Sequence, residues 1–112
     1  MKIAAQISIS ELKLAMPNFF GDMVKAVVDI ERDLVAFDAQ LHVDLEEILL
    51  KDGSKQKNLW GINFYPDLFA TDDFVEFDSM INIRPSFGNN SRGVESEEIR
   101  KKINTLIAKV VS

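Results

Sequence analysis

The chain has 112 residues, a formal net charge of −5 and no cysteine. The missing thiols exclude a disulfide framework, thiolate zinc sites and cysteine nucleophiles, and they fit a reducing compartment. The negative balance disfavours a nucleic-acid partner, because neutralising phosphates drives that binding.

Hydrophobic residues at 46% against 28% charged describe an ordinary folded chain rather than a disordered one. No apolar run approaches the ~20 residues of a membrane-spanning helix. The opening stretch from Met1 to Ser8 is too short and too polar for a signal-peptide core. The expectation is one cytoplasmic α+β domain over residues 1–112, with no membrane partner.

Taken in order, Lys2–Ile7 reads as a strand with Ile3, Ala5 and Ile7 on one side. Ser8 and Glu11 have the spacing of a capping box, in which each side chain satisfies a free amide at a helix start. A helix to about Met16 follows, stopped by Pro17 and Gly21. Met23–Ile30 and Leu34–Val43 alternate as two strands of a hairpin. Asp44 and Glu47 suggest a second capped helix, carrying Leu45, Ile48 and Leu49 and ending at Gly53. Leu59–Tyr65 reads as a strand with Trp60, Ile62 and Phe64 inward, ended by Pro66.

The segment Phe74–Arg84 alternates over its whole length. Val75, Phe77, Ser79, Ile81 and Ile83 share one face, and Glu76, Asp78, Met80, Asn82 and Arg84 share the other. A turn-rich loop from Pro85 to Glu95 leads to a helix capped by Ser96, with a stripe of Ile99, Ile103, Leu106, Ile107 and Val110. The order β-α-β-β-α-β-β-α predicts a two-layer sandwich with a mixed sheet and helices on one face, a variant of the ferredoxin-like arrangement.

Such a sheet leaves a polar face that gathers Lys25, Asp29, Asp38, Gln40, His42, Asn63, Tyr65, Glu76, Asp78, Asn82 and Arg84. Three uses compete for it: solvated surface, cover by a second subunit, and a ligand site. His42 is the single histidine and titrates nearest neutrality. His42-x-Asp44 and Glu76-x-Asp78 lack a diagnostic metal spacing, so no metal and no cofactor is expected. There is no nucleophile elbow and no phosphate-cradling glycine motif. The loop from Arg84 to Arg92 places guanidinium and amide groups before a helix start, a combination that suits a phosphate or carboxylate. The ligand-binding candidates are therefore Lys25, Asp29, His42, Asp78, Asn82, Arg84, Asn89 and Arg92, with no catalytic residue assigned.

Several stretches resemble a family of small prokaryotic proteins known as domain of unknown function 5674. They are Lys25–Glu31, Leu41–Asp44 with Glu46, Leu49–Ser54, Leu59–Asn63, Ser79–Pro85, Asn89–Arg92 and Glu98–Arg100. The resemblance implies no activity. It places the family's recurring polar signature at Lys25, Asp29, His42, Asp52, Ser54, Asn82, Arg84, Asn89 and Arg92.

The favoured function is a small binding or regulatory module, with an anionic ligand or a partner on the polar face and the Arg84–Arg92 loop. A homo-oligomer joined through the sheet face would deepen the site. The alternative is a small enzyme acting on an anionic substrate, with Arg84 and Arg92 holding the anion and His42 or Asp78 moving protons. It requires His42 and Asp78 to reach one reacting group. A purely structural interaction protein is the third reading.

Overall fold

A computed structural model describes residues 1–112 and has the expected element order. Strand β1 (Lys2–Ala4) precedes helix α1 (Ile9–Ala15), strands β2 (Val24–Asp29) and β3 (Leu34–Phe37), and helix α2 (His42–Lys51). Strands β4 (Leu59–Phe64) and β5 (Val75–Glu76) follow, and helix α3 (Glu97–Val110) completes an α+β fold.

The sheet order is β1-β3-β2-β4-β5, and every strand pairing is antiparallel. The expected mixed sheet is thus corrected. A ferredoxin-like fold needs the parallel neighbours of split β-α-β units; here β1 instead runs antiparallel to β3.

Helices cover both faces of the sheet, which corrects the two-layer expectation. Val24, Ala26, Val28, Val35, Phe37, Trp60, Ile62 and Phe64 pack with Leu12 and Ala15 of α1 and with Ile103, Leu106, Ile107 and Val110 of α3. On the other face, Val27, Ala36 and Leu59 meet Leu45 and Leu49 of α2. The physical cause is that β2 carries apolar side chains on both sides, as strands covered on both faces do.

Local chemistry sets the boundaries. Ser8 and Glu11 form the capping box, with Glu11 N–H donating to Ser8 Oγ at 3.1 Å and Ser8 N–H to Glu11 Oε1 at 3.3 Å. The expected strand to Val43 stops at Phe37 because Asp38 takes φ +71, a left-handed conformation that Asp tolerates better than most residues. Helix α2 consequently starts at His42, and Leu41 occupies the N-cap without a side-chain hydrogen bond. Asp44, expected to be the cap, lies inside the first turn, where its charge complements the helix dipole. The helix closes on Gly53 at φ +105, with Gly53 N–H donating to Leu50 O and Ser54 N–H to Leu49 O, a Schellman closure.

The largest departure is the alternating segment Phe74–Arg84, of which only Val75–Glu76 is strand. Ser79 then caps a 3₁₀ turn at Met80–Asn82 by accepting from Ile81 N–H. Asn82 inserts its carboxamide where a fifth-strand backbone would have paired, accepting from Gly61 N–H at 2.8 Å and donating to Gly61 O at 2.9 Å. Polar side chains that bond to backbone compete with a ladder, and here they replace it. Gly61 permits the approach, since a Cβ there would collide with the side chain of Ser79.

Candidate functional site

The site lies on the α2 face of the sheet. Lys25 on β2 is in register with Asn63 on β4, which is in register with Glu76 on β5. Side chains directly opposite across strands share a face, so these form one row. His42 overhangs the row from the start of α2, Asp78 and Ser79 approach from the segment that follows β5, and Arg92 from the loop before α3. Together they border a cavity of about 480 Å³ whose apolar rim includes Phe20, Leu41, Val43 and Met80.

His42 is buried, at 7% exposure, and its Nε2 lies 2.8 Å from Ile62 O. A carbonyl oxygen only accepts, so Nε2 carries the proton and Nδ1 keeps a lone pair. Burial pushes the imidazole pKa below its usual value of 6.5. The Ile62 carbonyl opposes that shift, the charge of Lys25 reinforces it, and Asn63 and Asp78 oppose it weakly. The ring is therefore neutral near pH 7, with Nδ1 as an acceptor.

Asn63 donates through Nδ2 to Glu76 Oε1 at 2.8 Å and to Asp78 O at 3.2 Å. This orientation leaves Asn63 Oδ1 buried without a partner. Tyr65 Oη donates to the same Glu76 oxygen at 3.2 Å. Partial burial, with Glu76 as the nearest charge, raises the Tyr65 phenol above its usual range and keeps it a donor. Arg92 Nε pairs with Asp78 Oδ1 at 2.7 Å. The Lys25 ammonium lies 5.0 Å from the centre of the Phe20 ring and has no carboxylate within ion-pair distance, because the ion pairs of the chain join other residues.

Of the residues singled out from sequence, Lys25, His42, Asp78 and Arg92 converge on the cavity. The other four have structural partners elsewhere. Asp29 Oδ1 accepts from Glu31 and Arg32 N–H and shapes the β2–β3 turn. Asn89 Nδ2 donates to Asn82 O, Ser91 O and Gly93 O and knits the Arg84–Arg92 loop together. Asn82 is committed to Gly61. Arg84 is turned inward; it donates to Gln56 O and Leu59 O and lies 4.4 Å from the centre of the Trp60 ring. Burial holds its pKa below the usual guanidinium value, with Glu46 opposing that shift. The two arginines of the loop thus divide their work, Arg84 within the fold and Arg92 at the cavity.

Asn63, Tyr65 and Glu76 belong to the site although only their place on the polar face suggested it. Their cross-strand register was the missing signal. Ser79 and the apolar rim gave no sequence signal, because a segment read as strand bends over the sheet instead. No three His, Asp or Glu side chains are grouped as metal ligands. A larger groove of about 600 Å³ runs between the β2–β3 turn and α3. Its polar side chains are exposed or partly exposed, and Lys109–Asp33 and Lys102–Glu98 already pair there. It lacks the buried, unsatisfied groups that distinguish the His42 cavity.

The chain matches the family described as Protein of unknown function (DUF5674) over residues 1–110. It belongs to that family. No curated protein and no solved structure matches it. The polar residues that the resemblance singled out separate in space. Lys25, His42 and Arg92 meet at the cavity, whereas Asp52 and Ser54 both accept from Arg32, at 2.7 Å each. No helix is long and apolar enough to cross a membrane.

Proposed function

We propose that the chain is a small binding module whose cavity takes a ligand through an anionic group, with Lys25 as the anchoring cation and Arg92 at the rim. Lys25 carries the reading. Of the nine lysines it is the only one not exposed, and it has no carboxylate partner. A half-buried ammonium beside a cavity and without an ion pair leaves a positive charge that an anionic ligand would complement. Local conflicts of this kind are expected at binding sites rather than in structural surface.

The test is an NMR titration with inorganic phosphate and with acetate at matched ionic strength. Saturable shifts at Lys25, His42 and the Asn63 amide, lost in Lys25→Met, are expected. Shifts spread over the exposed lysines, or the same titration in Lys25→Met, would refute the site.

One observation favours a second reading as an enzyme on the same class of substrate. His42 offers a lone pair at Nδ1, and Asp78 borders the same cavity. Proton transfer from a bound substrate is chemically available to such a base. This reading requires a turnover that His42→Gln abolishes while anion binding persists.

A further inference from the structure

We propose that the occupant is a zwitterion, carrying a protonated amine beside its anionic group as an amino acid does; this rests on the anion reading above. The row Lys25–Asn63–Glu76 crosses neighbouring strands. With strands roughly 5 Å apart, Lys25 and Glu76 stand about two spacings from each other, with Asn63 between them. The Lys25 ammonium has no carboxylate, and the Glu76 carboxylate has no cation. Glu76 Oε1 accepts only from the neutral Asn63 amide and the Tyr65 hydroxyl. The remaining charges, Asp78 and Arg92, neutralise each other at 2.7 Å. The cavity therefore offers one unpaired charge of each sign, at opposite ends of a short row. A ligand of single charge would match one end and leave the other without a countercharge.

The neutral groups point the same way. Asn63 is only 4% exposed, and its Oδ1 has no partner. His42 Nδ1 is an acceptor because Nε2–H is committed to Ile62 O. Free acceptors beside a carboxylate call for a donor-rich group, and an ammonium brings three N–H bonds and no lone pair. A nitrogen-free dianion would instead bring oxygen lone pairs against these same acceptors.

The experiment uses the whole chain and probes of one carbon skeleton: butyrate, butylamine, and the alpha-, beta- and gamma-amino derivatives of butyrate, titrated by NMR at matched ionic strength. At least one amino derivative should bind about tenfold more tightly than butyrate, the worth of one charge-assisted hydrogen bond. Glu76→Gln should erase that advantage by weakening the amino derivatives relative to butyrate, whose own binding should not fall when a negative charge is removed, and the exposed position of Glu76 makes the variant compatible with folding. If butyrate binds as tightly as every amino derivative, the zwitterion assignment fails and the anion reading survives. If butylamine binds as tightly as the amino derivatives, or if nothing saturates, both fail.

Discussion

Asn82 is the residue whose loss the structure prices most directly. Its side chain is fully buried, and three of its four amide hydrogen-bonding directions are used: Oδ1 accepts from Gly61 N–H, and Nδ2 donates to Gly61 O and to Arg92 O. In Asn82→Ala, Arg92 O keeps the Ser79 N–H at 2.9 Å, but both backbone groups of Gly61 lose their partner. A buried backbone group left unsatisfied costs about 1–3 kcal/mol, so two cost about 2–6. Water entering the vacated space restores part of this, and the expected loss is about 3–4 kcal/mol, a large share of the roughly 5–15 available to a folded domain. Urea unfolding followed by Trp60, the single tryptophan and a core residue, would read it as a lower midpoint at constant m. A loss below about 1 kcal/mol with unchanged m would refute the view that this carboxamide stands in for a strand.

Three further outcomes follow from other contacts. His42 binds its proton less readily in the folded chain than in the unfolded one, where its pKa is 6.5. Its contribution is therefore fully present above that value and is lost as pH falls below it, with a slope of up to about 1.4 kcal/mol per pH unit. Urea midpoints across this window should flatten in His42→Gln, and an unchanged slope would count against the burial argument. Gly61→Ala should destabilise by about 1–3 kcal/mol through collision with Ser79, and the double variant Gly61→Ala with Ser79→Gly should recover most of it; additive losses would show that the two residues do not touch. Arg84→Lys keeps the charge but loses the fork onto Gln56 O and Leu59 O and the stacking on Trp60. It should cost about 2–4 kcal/mol in thermal or urea unfolding, and a neutral outcome would return Arg84 to the ligand candidates.

The cavity joins two kinds of group with opposite tolerances. Lys25, Glu76 and Arg92 can change with little harm to the fold, because no buried backbone depends on them. His42 and Asn63 also hold backbone or side-chain partners of the sheet, through Ile62 O, Asp78 O and Glu76. Binding variants are best sought in the first group, where a loss of affinity is not confounded by a loss of structure.

Local signals in the chain were enough for the element order, the Ser8–Glu11 capping box, the Gly53 exit and the apolar stripe of α3. Each depends on neighbours within one or two turns, and the hydrophobic period reports them directly. Lys25, His42 and Asp78 were singled out as polar residues on a face turned from one core, and Arg92 from its loop before a helix start; all four border the cavity, although His42 reaches it from the start of α2 rather than from a strand. The second helical layer was less so, although Val27 on the polar side of β2 was its trace. What the sequence could not decide was the path of Phe74–Arg84. Alternation alone reads that segment as a strand, but side-chain bonds from Ser79 and Asn82 outcompete the ladder once Gly61 lets the chain come close. That one choice buries Arg84 and Asn82 and carries Asp78 and Arg92 to the row of Lys25, Asn63 and Glu76. Only tertiary structure fixes it, because the competing hydrogen bonds join residues some twenty positions apart.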